Sequence, residues 1–147
     1  MKTEKAKPIT IACIALAALS ALLFILLLTV SAQKREAETR LRNHFDSLLA
    51  SAKDSFERYL ETGEERHYYY GASDIGSIAG MYDIKDDAKD SIDILLHTAH
   101  GRLIDCGAKG CRDALPYLIE GLDKALEGND ASFNLYLQYF RNHTDND

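Results

Sequence analysis

Residues 9–32 read ITIACIALAALSALLFILLLTVSA, and no charged side chain lies between Pro8 and Gln33. As a helix these 24 residues would measure about 36 Å, against about 30 Å for the hydrocarbon core of a bilayer. The second half, Leu22 to Leu28, is strongly apolar on every side, whereas a core helix of a small soluble protein needs only one apolar stripe. The stretch therefore reads as one transmembrane helix, preceded by a short basic tail over residues 1–8.

Two other readings of this stretch compete. Lys2, Lys5 and Lys7 would serve as the basic region of a cleaved secretory signal, and Val30-Ser31-Ala32 fits a small-residue cleavage site. The apolar run is longer than the roughly 7–15 residues such a signal carries, which favours an uncleaved signal-anchor. A lipoprotein anchored through Cys13 would leave almost no apolar segment ahead of the cysteine. Basic residues flank the run on both sides, with Lys34, Arg35, Arg40 and Arg42 following it, so counting them does not orient it. A basic tail before a long apolar segment, with a downstream domain that crosses largely regardless of charge, places the N-terminus in the cytoplasm and residues 33–147 outside.

The 147 residues carry 17 Lys+Arg and 23 Asp+Glu, for a formal charge of −6. Lys2, Lys5, Lys7 and Glu4 precede the apolar run, so the remainder holds 14 basic and 22 acidic residues and a charge of −8. That balance excludes a nucleic-acid-binding domain, because such affinity comes largely from Lys and Arg neutralising phosphates. It also argues against a domain lying flat on anionic lipid.

Beyond the membrane the apolar residues follow helical spacing. Leu41, Phe45, Leu48, Ala52, Phe56 and Tyr59 share one face, and neither Pro nor Gly interrupts the chain between Pro8 and Gly63. The membrane helix is thus expected to continue as a stalk to Thr62-Gly63. Glu64 to Met81 repeats the pattern with Tyr68, Ala72, Ile75, Ala79 and Tyr82, and its glycines at 71, 76 and 80 would allow close packing. Lys85 to Ile104 does so with Ala88, Ile92, Leu95, Ala99 and Leu103. A break over Gly107 to Gly110 follows. Asp113 is the expected N-cap of the next helix, with Pro116 in its first turn, Leu115, Leu118, Leu122 and Ala125 inward, and Gly128 as the stop. Asn129 or Asp130 caps the last, whose core face is Phe133, Tyr136, Leu137 and Phe140. No segment alternates as a strand would. The expected fold is all-α: one N-terminal transmembrane helix, then a small bundle of four or five helices over residues 33–141, then a polar tail, frayed from Asn142.

Candidate chemistry is sparse. Cys106-Gly-Ala-Lys-Gly-Cys111 forms a short glycine-rich loop, and an oxidising compartment would favour a disulfide across it. His97 and His100 lie just upstream, and two His with two Cys could hold zinc, although the spacing matches no common zinc pattern. Ordinary packing or surface histidines are the plainer reading, so no metal ligand is assigned. Glu64-x-x-His67 occurs once, where a di-iron bundle needs two such motifs, and reads as a solvated first turn. Tyr68-Tyr69-Tyr70 sweeps around roughly 300° of a helix, so the three cannot share one core and at least one is available for recognition. Nucleotide-binding and nucleophile-elbow motifs are absent from the sequence, so no cofactor and no catalytic residue is expected.

The sequence thus points to a membrane-anchored interaction or regulatory module of the cell envelope, held in the bilayer by residues 9–32 and meeting a protein partner there. Small residues at Cys13, Ala17 and Ala21 recur at every fourth position and would let two such helices pair as a homodimer. A small metal-handling or redox protein built on His97, His100, Cys106 and Cys111, or a structural subunit of a membrane complex, are the alternatives.

Overall fold

The computed structural model describes residues 6–82 and 91–144. It is all-helical: a first, long helix with an apolar N-terminal part is followed by a small helical bundle, five helices in all among the described residues. The chain divides into two compact units, one up to Arg42 and one from Asn43 onward.

Helix α1 runs unbroken from Ala6 to Thr62, 57 residues. Its sequence explains the length, since Ala, Leu, Glu, Lys and Arg dominate and each keeps most of its rotamer freedom in a helix. Turn-to-turn ion pairs line its exposed sides, among them Arg40 with Glu36 at 2.6 Å and Arg58 with Asp54 at 2.9 Å. It ends where expected. Gly63 takes a left-handed φ of 73°, its N–H donates to the Tyr59 carbonyl at 2.8 Å, and the Thr62 hydroxyl accepts from the Glu64 N–H at 3.2 Å.

Helix α2 covers Glu65–Tyr82, α3 Ser91–Gly110, α4 Leu115–Leu126 and α5 Asp130–Thr144. Within the bundle α2 packs on α3, α3 on α5, and α4 on α5. One apolar core joins them. It contains Leu49, Ala52, Phe56 and Tyr59 of α1, Tyr68, Ala72, Ile75, Ile78 and Ala79 of α2, and Ile92, Leu95, Leu96, Ala99 and Leu103 of α3. Ala108, Cys111 and Ala114 at the α3–α4 corner, Leu115, Leu118 and Leu122 of α4 and Phe133, Leu137 and Phe140 of α5 complete it. Two glycines of α2 are there because larger residues would collide. A Cβ on Gly71 would stand 2.7 Å from the Phe56 ring, and one on Gly76 would stand 2.7 Å from the His100 ring. Gly80 meets nothing within 4 Å.

Several boundaries differ from the sequence reading. Residues 83–90, including the expected start of α3 at Lys85 and the expected core residue Ala88, lie outside the described residues. At its other end α3 runs past Ile104 to Gly110, and the expected break is a kink at Gly107, at φ 67° and ψ −179°. Asp113 does not cap α4. Ala114 holds that position with no side-chain cap, because the Ala114 and Leu115 amides already donate to the Cys111 carbonyl at 3.0 and 3.1 Å. The cap of α5 is Asn129, whose Oδ1 accepts from the Ser132 N–H at 3.1 Å. Before it, Gly128 at φ 73° closes α4, with the Gly128 and Asn129 amides donating back to Ala125 and Lys124. Helix α5 continues through Asn142 to Thr144, whose buried hydroxyl donates to the carbonyls of Phe140 and Arg141 at 3.2 and 2.9 Å. Leu41 is exposed and Tyr136 half-buried, although both lie on expected core faces.

Candidate functional site

The three consecutive tyrosines separate by role. Tyr68 is fully buried, while Tyr69 and Tyr70 are 51% and 61% exposed. Around 100° of helix divides each residue from the next, so α2 can turn only one of the three into the core. The Tyr68 ring meets Phe56, Tyr59 and Tyr69 edge-on, at centroid distances of 5.9, 5.5 and 5.5 Å. Tyr70 stands 6.4 Å from the His67 ring. Arg66 and the half-buried His67 both reach Glu64, so the single Glu64-x-x-His67 motif is a local cluster at the start of α2.

Behind this surface lies a buried polar knot at the end of α3. Helix ends leave carbonyls in need of donors, and three side chains supply them. The Tyr68 hydroxyl donates to the Leu103 carbonyl at 2.6 Å, the Cys111 thiol to the Arg102 carbonyl at 3.5 Å, and the Tyr59 hydroxyl to the Ala108 carbonyl at 2.7 Å. Arg112 closes the knot from outside, its guanidinium 5.6 Å from the Tyr59 ring centroid and its Nη2 3.3 Å from the Leu60 carbonyl. Burial pushes the Tyr68 hydroxyl far above the ordinary tyrosine range. Burial also pushes the Cys111 thiol up to about 11, against a smaller opposing contribution from the Tyr68 hydrogen bond. Both groups therefore keep their protons near neutral pH, where the knot acts as a structural joint.

Cys106 is half-buried, Cys111 is buried, and both carry free thiols. The histidines do not converge with them. His97 is exposed, and the His100 ring is packed against Gly76 of α2. Among the described residues no three His, Cys, Asp or Glu side chains are grouped so as to hold a metal ion.

A second aromatic group escaped the sequence reading. Tyr117 of α4 stacks on His143 of α5 at 4.3 Å and 32°, and Tyr139 sits 6.0 Å from both Tyr117 and Tyr136. Within α5 the three- and four-residue spacings of Tyr136, Tyr139 and His143 were a signal for it. Tyr117 comes from another helix, and no periodicity could have assigned it. Tyr139 is exposed, so this end of the bundle presents a second ring surface.

One helix among the described residues is long and apolar enough to cross a membrane, and its most apolar stretch has none of its surface buried in the protein. No protein-family model, no curated protein and no solved structure matches this chain.

Proposed function

We propose that the chain is a membrane-anchored helical interaction module of the cell envelope, which recruits a protein partner and catalyses nothing on its own. The observation that carries this reading is the exposed Tyr69–Tyr70 pair on α2, braced from behind by the buried Tyr68. Exposed tyrosines on a rigid element offer large contact area at low entropic cost, and recognition surfaces are enriched in them. The acidic charge suits a tethered, soluble head more than capture of an anionic substrate. Residues 9–32 are the anchor in this reading, since lipid is a solvent for a helix that is apolar all round. The N-terminus lies in the cytoplasm and the bundle outside. The metal-handling alternative draws less support, because His100 is occupied against Gly76 and the Cys111 proton is committed to a carbonyl.

The test is a set of single alanine substitutions in the full-length protein, followed by affinity capture from membranes and thermal melting. Tyr68→Ala should unfold the bundle at markedly lower temperature. Tyr69→Ala and Tyr70→Ala should leave the melt unchanged, and at least one should weaken partner capture by about 2 kcal/mol or more. Unchanged capture by both variants would remove the tyrosine surface. A reporter active only outside the cytoplasm, fused after Asp147, checks the orientation, and resistance to carbonate extraction checks the anchor. Turnover of any substrate, lost on His97→Ala or Cys111→Ser, would overturn the non-catalytic reading.

A further inference from the structure

The loop from Cys106 to Cys111 folds back on itself. Gly107, at φ 67°, turns the chain out of the α3 helix, and the Cys111 N–H then donates to the Gly107 carbonyl at 3.1 Å. The turn is tight enough that a Cβ on Gly110 would stand 3.2 Å from the Cys106 Cβ. Cys111 belongs to the apolar core, and Cys106 packs against that same core. The loop is also held at both ends of its second half, by the Tyr59 hydroxyl on the Ala108 carbonyl and by Arg112 on the Leu60 carbonyl. The two thiols differ in access, since Cys106 reaches solvent while Cys111 is wholly buried against the Arg102 carbonyl.

We propose that Cys106 and Cys111 form a dithiol–disulfide pair, oxidised by exchange with an external disulfide that enters at Cys106 and is resolved by Cys111. In the first step the Cys106 thiol loses its proton to solvent. Its thiolate attacks one sulfur of the external disulfide, making a mixed disulfide and releasing one donor thiol. In the second step the Cys111 thiol gives up its proton and leaves the Arg102 carbonyl. Its thiolate attacks the Cys106 sulfur, the intramolecular bond forms, and the second donor thiol departs. Overall two protein thiols are oxidised and one external disulfide is reduced to two thiols. Access makes the first step fast. The second is slow, because burial holds the Cys111 thiol at about 11, so only a small fraction is thiolate near neutral pH. The closed ring would lock the α3–α4 corner directly behind Tyr68.

Oxidised glutathione serves as the probe. The full-length chain, with Cys13→Ser to remove the exposed thiol of the apolar segment, is reduced, freed of reductant and followed by intact mass and peptide mapping. The expected course is one glutathionyl group on Cys106, then a product that lacks two hydrogens and carries no glutathione. The rate of the second step should rise about tenfold per pH unit below 11, following the thiolate fraction. Cys111→Ser should stop at the glutathionyl adduct, and folded Cys106→Ser should react at least tenfold more slowly than Cys111→Ser. Cys106→Ala repeats that arm should serine lower the melting temperature. A wild-type chain that keeps its glutathionyl group without closing overturns the pairing. Equal reactivity of the two single variants overturns the order of entry. These masses are independent of partner capture, so the proposal and the interaction reading can each fail alone.

Discussion

Phe24 and Phe56 lie on the same unbroken helix, yet Phe24 is 62% exposed and Phe56 is fully buried. Their surroundings in sequence explain the contrast. Around Phe24 every helical face is apolar, with Leu22, Leu23, Ile25, Leu26, Leu27 and Leu28 all exposed. Around Phe56 the apolar residues keep to one face with Leu49, Ala52 and Tyr59, while Asp54 and Arg58 form an ion pair on an exposed side. A stripe needs other helices to cover it, whereas an all-round apolar surface needs an apolar solvent. One helix thus carries two different surface patterns, and the change between them is written in amphipathicity rather than in any break of the backbone.

Removing each ring in turn is the strongest way to break this comparison. Phe56→Ala should destabilise the bundle by about 3–5 kcal/mol, since it empties a buried site against which Gly71 has no side chain to move in. Phe24→Ala should leave the bundle's denaturant midpoint unchanged. Equal effects on the melt would show that the two halves of α1 share one environment. A charge in the apolar half separates them from the other side. Ile25→Asp should cost about 2.5–3.5 kcal/mol of membrane insertion and release the protein on carbonate extraction, with the fold of the bundle intact.

The same contrast governs what was legible in the sequence. All-round apolarity set the N-terminal part of α1 apart as a stretch long and apolar enough to cross a membrane, and helical spacing gave four of the buried residues of α2 and the buried leucines of α4. Spacing identifies a face but not how far along a helix the covering partners reach. Leu41 lies on the face of Phe45 and Ala52 and is still exposed, while Leu49, one step to the side, is fully buried. Leu96 and Ile78 were missed for the same reason, because a helix packed between several neighbours buries more than one stripe. Local hydrogen bonding decided the capping of α4, where the turn through Cys111 made a side-chain cap at Asp113 superfluous. At the candidate site the division of Tyr68, Tyr69 and Tyr70 followed from helix geometry alone. The polar knot behind them did not, since its carbonyls belong to α3 and the residues after it, and only folding brings them to Tyr59 and Tyr68.

Alkali should probe the buried half of the comparison without touching the apolar half. The Cys111 thiol is raised from 9.0 to about 11 by burial. Above pH 9 an unfolded chain ionises this thiol while the folded one keeps its proton, so the unfolded state binds fewer protons and stability falls as pH rises. The contribution is fully present below 9 and lost by about 11, and it amounts to about 3 kcal/mol. Under reducing conditions, Cys111→Ala should flatten this part of the stability–pH curve measured by denaturant titration. A curve of unchanged slope would show that Cys111 is solvated in the folded protein.

The smallest effect belongs to the ion pair that ties α1 to α4. Lys53 Nζ lies 2.6 Å from Asp123 Oδ1, and its other carboxylate, Glu57, is 3.7 Å away on its own helix. The side chains of Lys53 and Asp123 are 26% and 36% exposed, so water screens the pair only in part. The Asp123 hydrogen bond, ahead of the opposing desolvation, raises the Lys53 ammonium above its ordinary value. A raised ammonium contributes stability below its unfolded value and loses it as pH climbs through the folded one, so the pair should act at neutral pH and fade in strong alkali. Asp123→Asn keeps the size of the side chain and removes its charge. It should cost about 1 kcal/mol at low ionic strength and less in molar salt, because partly exposed pairs are weak and screened. A double-mutant cycle with Lys53→Met isolates the coupling from the Lys53–Glu57 pair, which the Asp123→Asn change leaves in place. A coupling near zero at low salt would mean that the shared apolar core, to which Leu49, Phe56 and Leu122 belong, holds α1 and α4 without help from this charge pair.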